Sequence, residues 1–149
     1  GRPDMVAGVA TGGIAHGALV AHDLGLPFIY VRSSAKEHGM KNQVEGDLTV
    51  GRSVVVVEDL VSTGASSLNA VQSLRDAGCE VKGMVSIFTY GFEEARLAFE
   101  QARVKLVSLT DYPILLEQAL HSNYITEKDV LSLNEWRKDP SNWNQKTPA

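Results

Sequence analysis

Apolar positions along the chain come in short runs of two periods. "MVAGVA" at 5–10 is brief and continuous, and "TGG" breaks it. "IAHGALVAHDLG" at 14–25 spaces its apolar residues for a helix, which Gly25 ends. "PFIYVR" at 27–32 is aromatic and β-branched, as strands are. "SVVVVE" at 53–58 shows no polar alternation, which predicts a central strand buried on both faces. "ASSLNAVQSLRDAG" at 65–78 puts Leu68, Val71 and Leu74 on one helical face, with Gly78 as its stop. Strand, helix and strand repeat at 81–90, 93–102 and 104–109, and two further helices are predicted near 113–121 and 126–136. Alternating strands and helices predict an α/β fold, a central parallel sheet flanked by helices on both faces. The core domain is expected over 1–137 and a polar tail over 138–149, with Trp136 and Trp143 packing the tail down.

Residues 33–52 do not fit that alternation. They are polar and carry glycines at 39, 46 and 51, and they read as one long mobile loop. A loop of that length in a small domain is functional or disordered.

Composition narrows the function classes. The 149 residues suffice for one domain with a real core, at 44% hydrophobic and 21% charged. The net charge of −4 argues against a nucleic-acid surface as the main purpose. No apolar stretch approaches membrane-spanning length, so no membrane role is expected. Cys79, the single cysteine, permits no internal disulfide, suits a reducing cytoplasm, and reads as a small buried residue. The chain opens at Gly1 rather than Met and is strand-like by Met5, which reads as a piece whose upstream segment is missing.

The informative stretch is "VVVVEDLVSTGASS", 54–67. Ligands of open parallel sheets bind beyond the carboxyl ends of the strands, where Glu58 and Asp59 are expected. The following "LVSTGAS" leads into a helix N-terminus, whose unpaired N–H groups and dipole favour an anion. Gly64 lets the backbone approach a phosphate closely, and Ser62, Thr63 and Ser66 add hydroxyl donors beside Ala65. Carboxylates beside a phosphate repel it unless they serve something else: a metal, sugar hydroxyls or a developing cation. A sugar phosphate satisfies both halves. The alternative is a capped strand-end turn, since Ser, Thr and Asp all cap helices. No Gly-Lys-Ser/Thr is present, which argues against a nucleoside triphosphatase.

"VVVVEDLVSTGAS" resembles the phosphoribosyl pyrophosphate (PRPP) motif of the type I phosphoribosyltransferases: hydrophobic residues, two acids, a short turn and a Thr-Gly region. "RSSAKEHG" at 32–39 resembles the catalytic loop of the orotate phosphoribosyltransferases. "YVRSSAKEHGMKNQVEG" at 30–46, "VSIFTYGFEEA" at 85–95 and "EWRKDP" at 135–140 are similar to the bacterial form of that family.

The resemblance implies the type I fold and transfer of the phosphoribosyl group from PRPP to orotate, giving orotidine 5′-monophosphate and pyrophosphate with Mg²⁺. It also implies a homodimer in which loop 33–51 reaches the neighbouring active site, and an N-terminal hood segment, missing here, over the base. Lys36 would stabilise the leaving pyrophosphate, helped by Arg32 and His38, with Lys41 assisting. Thr11, Gly12 and Gly13 would offer backbone N–H groups to pyrophosphate, in what is also a tight strand-to-helix turn. Asp59 and Glu58 would bond the ribose hydroxyls, Asp59 foremost. Mg²⁺ would be held mainly by substrate oxygens and water, with no dedicated metal residues. Tyr90 stands nearest to where some members contact orotate, Arg96 lies too far along its helix, and Phe88, Tyr90 and Phe92 fit a core equally well. A purine-base transferase and a PRPP-binding regulator of the same fold are the alternatives, and the cationic loop disfavours the regulator.

Overall fold

The computed structural model describes residues 1–32, 43–48 and 51–143. Its elements are β1 (Met5–Val9), α1 (Gly12–Leu24), β2 (Phe28–Val31), β3 (Val44–Glu45), β4 (Ser53–Val61), α2 (Ala65–Asp76), β5 (Glu80–Thr89), α3 (Glu93–Gln101), β6 (Leu106–Asp111), α4 (Tyr112–His121) and α5 (Glu127–Lys138). The strands form one six-stranded sheet in the order β3-β2-β1-β4-β5-β6.

Side-chain alternation divides the core between two faces. Met5, Ala7 and Val9 of β1 join Val54, Val56, Ile29 and Val31 in one cluster, which Leu74 of α2 and Phe99 of α3 close. Val6 and Val57 point the other way and meet Ala21 of α1, with Leu26 and Phe28 against them. A valine run without polar alternation is what a strand covered from both sides needs. Ile29, Leu74 and Met84 are the largest fully buried side chains, each contributing roughly 1.5–3 kcal/mol by leaving water.

Local chemistry sets the helix ends. Gly25 closes α1 at φ 62°, a left-handed conformation that costs glycine nothing. Asp111 caps α4 by accepting from the Ile114 N–H at 3.0 Å. Thr126 and Asp129 form a reciprocal capping box on α5.

The central parallel sheet is as expected, with β1, β2, β4, β5 and β6 all paired in parallel. Two expectations need correction. The polar stretch 33–52 is not loop throughout: Val44–Glu45 forms β3, an antiparallel edge strand against β2. β4 continues past the acids to Val61, so Glu58 and Asp59 lie inside the strand, short of its end. Parallel pairing with β5 holds on through Leu60↔Phe88 and Val61↔Thr89, and backbone pairing outlasts the apolar side chains. Cys79 is buried in the larger cluster, as expected of a small apolar residue.

Candidate active site

From β1 the chain moves outward to β2, and from β4 it moves the opposite way to β5. The carboxyl ends of β1 and β4 therefore flank the point where strand order reverses, the standard position of a ligand crevice in such sheets. The segments that follow these two strands are Ala10–Gly13 and Ser62–Ser66.

α1 lies unusually close to the sheet. A Cβ on Gly8 would stand 2.6 Å from the Gly13 carbonyl oxygen, and one on Gly13 would stand 2.5 Å from that of Val57. Only hydrogen fits at either place. The close approach brings exposed Thr11 and Gly12 over β4. A Cβ on Gly12 would lie 1.9 Å from Asp59 Oδ2. Asp59 thus rests against the start of α1, and the missing side chain at position 12 makes room for it. The Ala10–Thr11 peptide is cis. Thr11 makes no side-chain cap, which leaves N–H donors of the first turn open.

Gly64 begins α2 at φ 86° and ψ −3°. No side chain caps that helix. Ser62 is half-buried, while Thr63, Ala65 and Ser66 are exposed. None of the three hydroxyls of Ser62, Thr63 and Ser66 has a hydrogen bond among the described residues. They are not capping groups, so a capped turn does not account for them. A run of open N–H groups with free hydroxyls at a helix N-terminus is a cradle for an anion.

Glu58 and Asp59 have different surroundings. Glu58 is 4% exposed. Its Oε2 accepts from Ser67 Oγ at 2.9 Å, and its Oε1 accepts from the Asp59 N–H at 3.1 Å. Burial, and then the neighbouring Asp59 carboxylate, push the Glu58 carboxyl up to about 7, against the opposing pull of the Ser67 hydroxyl. The expected pair of ligand-facing acids is therefore unequal: Asp59 is half-buried beside Gly12, and Glu58 is committed to α2. Ser67 was not foreseen as its partner, although its place on the buried face of α2 could have suggested one.

Arg32 follows β2, half-buried, with its Nη1 3.6 Å from Glu45 Oε1. Its backbone N–H donates to the Gln43 carbonyl at 2.8 Å. Lys36, His38 and Lys41 lie outside the described residues. Thr11–Gly13 and Asp59 are thus brought together, and Arg32 is held at the neighbouring strand end by β3.

Beyond β5 the aromatics pack on each other. Tyr90 stacks on Phe92 with ring centroids 5.4 Å apart and meets Phe88 and Trp136 edge-on at 5.2 and 5.5 Å. Tyr112 completes the group. A cavity of about 470 Å³ borders these rings, with Trp143 on its wall. Arg96 is held on the exposed face of α3 by Glu93 and Glu100. A second cleft, of about 660 Å³, opens beside Ser62 and Thr63 and is lined also by Gly91, Asn134, Arg137 and Lys138.

A crevice at the reversal of strand order, two open helix starts and one accessible carboxylate make up the candidate site. Residues 1–110 match the family described as the phosphoribosyl transferase domain, and the chain belongs to that family. It is similar to the orotate phosphoribosyltransferase of Bacteroides fragilis, 58% identical over 143 residues, which are 96% of this chain and 68% of that protein. Among solved structures it is similar to the orotate phosphoribosyltransferase of Aeropyrum pernix, with TM-score 0.72 and 38% identity over 78% of this chain and 65% of that one. The orotate phosphoribosyltransferase of Mycobacterium tuberculosis in complex with PRPP gives TM-score 0.62 and 27% identity over 75% of this chain and 64% of that one. Within the family the chain falls on the orotate phosphoribosyltransferase branch, and it spans about two thirds of the length of these relatives.

Proposed function

We propose that this chain carries the PRPP-binding part of an orotate phosphoribosyltransferase active site. The reaction breaks the bond between ribose C1 and the pyrophosphate oxygen and forms a bond from C1 to a ring nitrogen of orotate, whose N–H proton is released to pyrophosphate or solvent. The products are orotidine 5′-monophosphate and pyrophosphate, a step of pyrimidine synthesis. The observation that carries the reading is Asp59 resting against the start of α1, with the uncommitted donors of Ser62–Ser66 following the same strand, at the reversal of strand order.

The ribose 5-phosphate sits on the N–H groups and hydroxyls of Ser62, Thr63, Gly64, Ala65 and Ser66. Pyrophosphate lies on the backbone of Thr11, Gly12 and Gly13. Asp59 accepts from the ribose hydroxyls and faces the positive charge that develops on the sugar. Glu58 supports it from within the strand. Lys36 opposes the charge gathering on the leaving pyrophosphate, with Arg32 and His38.

The Asp59 carboxylate is a hard oxygen donor, which suits Mg²⁺. No cluster of three or more His, Cys, Asp or Glu side chains that could hold a metal occurs among the described residues. Mg²⁺ would be held mainly by substrate oxygens and water, and would neutralise pyrophosphate charge when bound. The working unit is a homodimer in the cytoplasm, with residues 33–51 of each copy serving the other's site. No helix among the described residues is long and apolar enough to cross a membrane.

Calorimetric titration of PRPP with Mg²⁺ into this chain tests the reading, with Asp59→Asn alongside. The parent should bind, and the variant should bind at least about tenfold more weakly, the equivalent of ~1.4 kcal/mol. A folded parent that takes up no PRPP would sink the assignment of the cradle.

A further inference from the structure

The motif "EWRKDP" has no part in the site so far, yet its arginine reaches toward the phosphate loop. Arg137 stands in the last turn of α5, half-buried. Its Nε donates to the Tyr90 carbonyl at 3.0 Å, and its Nη2 donates to the Gly91 carbonyl at 2.9 Å. One rigid fork thus grips two successive carbonyls. Gly91 has φ 64°, and a Cβ there would lie 2.9 Å from Arg137 Nη2. The turn is shaped around the guanidinium.

The gripped turn in turn holds β4. The Tyr90 N–H donates to the Val61 carbonyl at 3.1 Å. Thr89 Oγ1 donates to that same carbonyl at 3.2 Å and accepts from the Gly91 N–H at 3.1 Å. Val61 is the last residue before Ser62. A continuous set of bonds therefore runs from the guanidinium through Tyr90, Gly91 and Thr89 to the entry of the phosphate loop. Arg137 and Lys138 also line the cleft that Ser62 and Thr63 border. Arg137 forms no ion pair with a carboxylate among the described residues, and Glu93 and Glu94 share the cleft with it.

We infer that Arg137 is a positioning residue for PRPP binding: through the 89–91 turn it fixes Val61 and so presets the Ser62–Ser66 loop for the ribose 5-phosphate. This rests on the function proposed above. A loop preset in its bound shape loses less freedom on binding, and that difference appears as affinity.

The test is titration of PRPP with Mg²⁺ into the chain and three variants, with thermal melts of each. Arg137→Gln removes the charged fork. Thr89→Val removes the hydroxyl relay at nearly constant volume. Trp136→Phe loosens the packing of α5 and leaves both carbonyl contacts in place. Arg137→Gln should raise Kd about tenfold and Thr89→Val by a smaller factor, while Trp136→Phe lowers the melting temperature and leaves Kd within about twofold. The Arg137→Gln/Thr89→Val double variant should lose no more affinity than Arg137→Gln alone, because both act through one carbonyl. An Arg137→Gln protein that binds like the parent overturns the inference. So does a Trp136→Phe protein that loses as much affinity, since general anchoring of α5 would then suffice. If Arg137→Gln fails to fold, a Thr89→Val protein with parental Kd overturns it equally. A parent that binds, with Asp59→Asn weakened and both relay variants unchanged, defeats this inference alone. A parent that does not bind defeats the proposed function, and this inference with it.

Discussion

Replacing Glu58 by Gln tests the reading of the strand end without any ligand. The Glu58 carboxyl is raised from 4.5 to about 7 by burial first and by the Asp59 carboxylate next. The folded protein therefore holds this proton more tightly than the unfolded chain does. The resulting stability is fully present below about pH 4.5 and is lost as pH rises through about 7. At ~1.4 kcal/mol per pH unit, the interval is worth at most about 3 kcal/mol. Glutamine resembles the protonated carboxyl in shape and charge, and its amide oxygen can still accept from Ser67. Urea unfolding of parent and Glu58→Gln should be followed from about pH 5 to about pH 9. The parent should lose up to about 3 kcal/mol relative to the variant across that range, most of it between about pH 5 and pH 8. Other titrating groups are common to both proteins and cancel in the difference. Parallel curves would show that Glu58 is ionised at neutral pH in both states and that its burial beside Asp59 does not govern its proton.

Two glycines give the remaining tests. Gly64→Ala places a Cβ at φ 86° and 2.8 Å from the Phe99 ring; a loss of about 1–3 kcal/mol in urea unfolding is expected, with PRPP affinity lost as well. Gly12→Ala meets the tip of a side chain instead, 1.9 Å from Asp59 Oδ2. Asp59 should swing aside, leaving the melting temperature near parental while calorimetry shows PRPP affinity at least about tenfold lower.

The sequence carried the fold well wherever a run of residues shared one environment. Val54–Val57 announce a strand covered on both faces, and the structure covers it with α1 on one side and α2 and α3 on the other. The candidate phosphate loop was legible as hydroxyls and glycine before a helix, but the same residues suit a capped turn, and only the structure shows that no side chain caps α2. What remained hidden depends on partners distant in sequence. β3 has two residues, and only pairing with Tyr30 and Val31 makes it a strand. Nothing local says that β4 should outlast its valines, since Leu60 and Val61 are kept in the sheet by β5. The difference between Glu58 and Asp59 was likewise out of reach, because it rests on Ser67 standing over one of them and Gly12 over the other.

That last contrast explains why "TGG" admitted two readings, a tight turn and a pyrophosphate loop. The two glycines meet different constraints. Gly13 is buried, and a side chain there would strike the Val57 carbonyl, so its smallness serves the packing of α1 on β4. Gly12 is exposed on the crevice side, and the three atoms nearest a side chain there all belong to the Asp59 carboxylate. Packing alone does not require a glycine at 12, because Asp59 could turn away at little cost to the fold. What position 12 protects is the place of one carboxylate beside a row of open N–H groups. A fold needs the first glycine constraint; the proposed PRPP site needs the second.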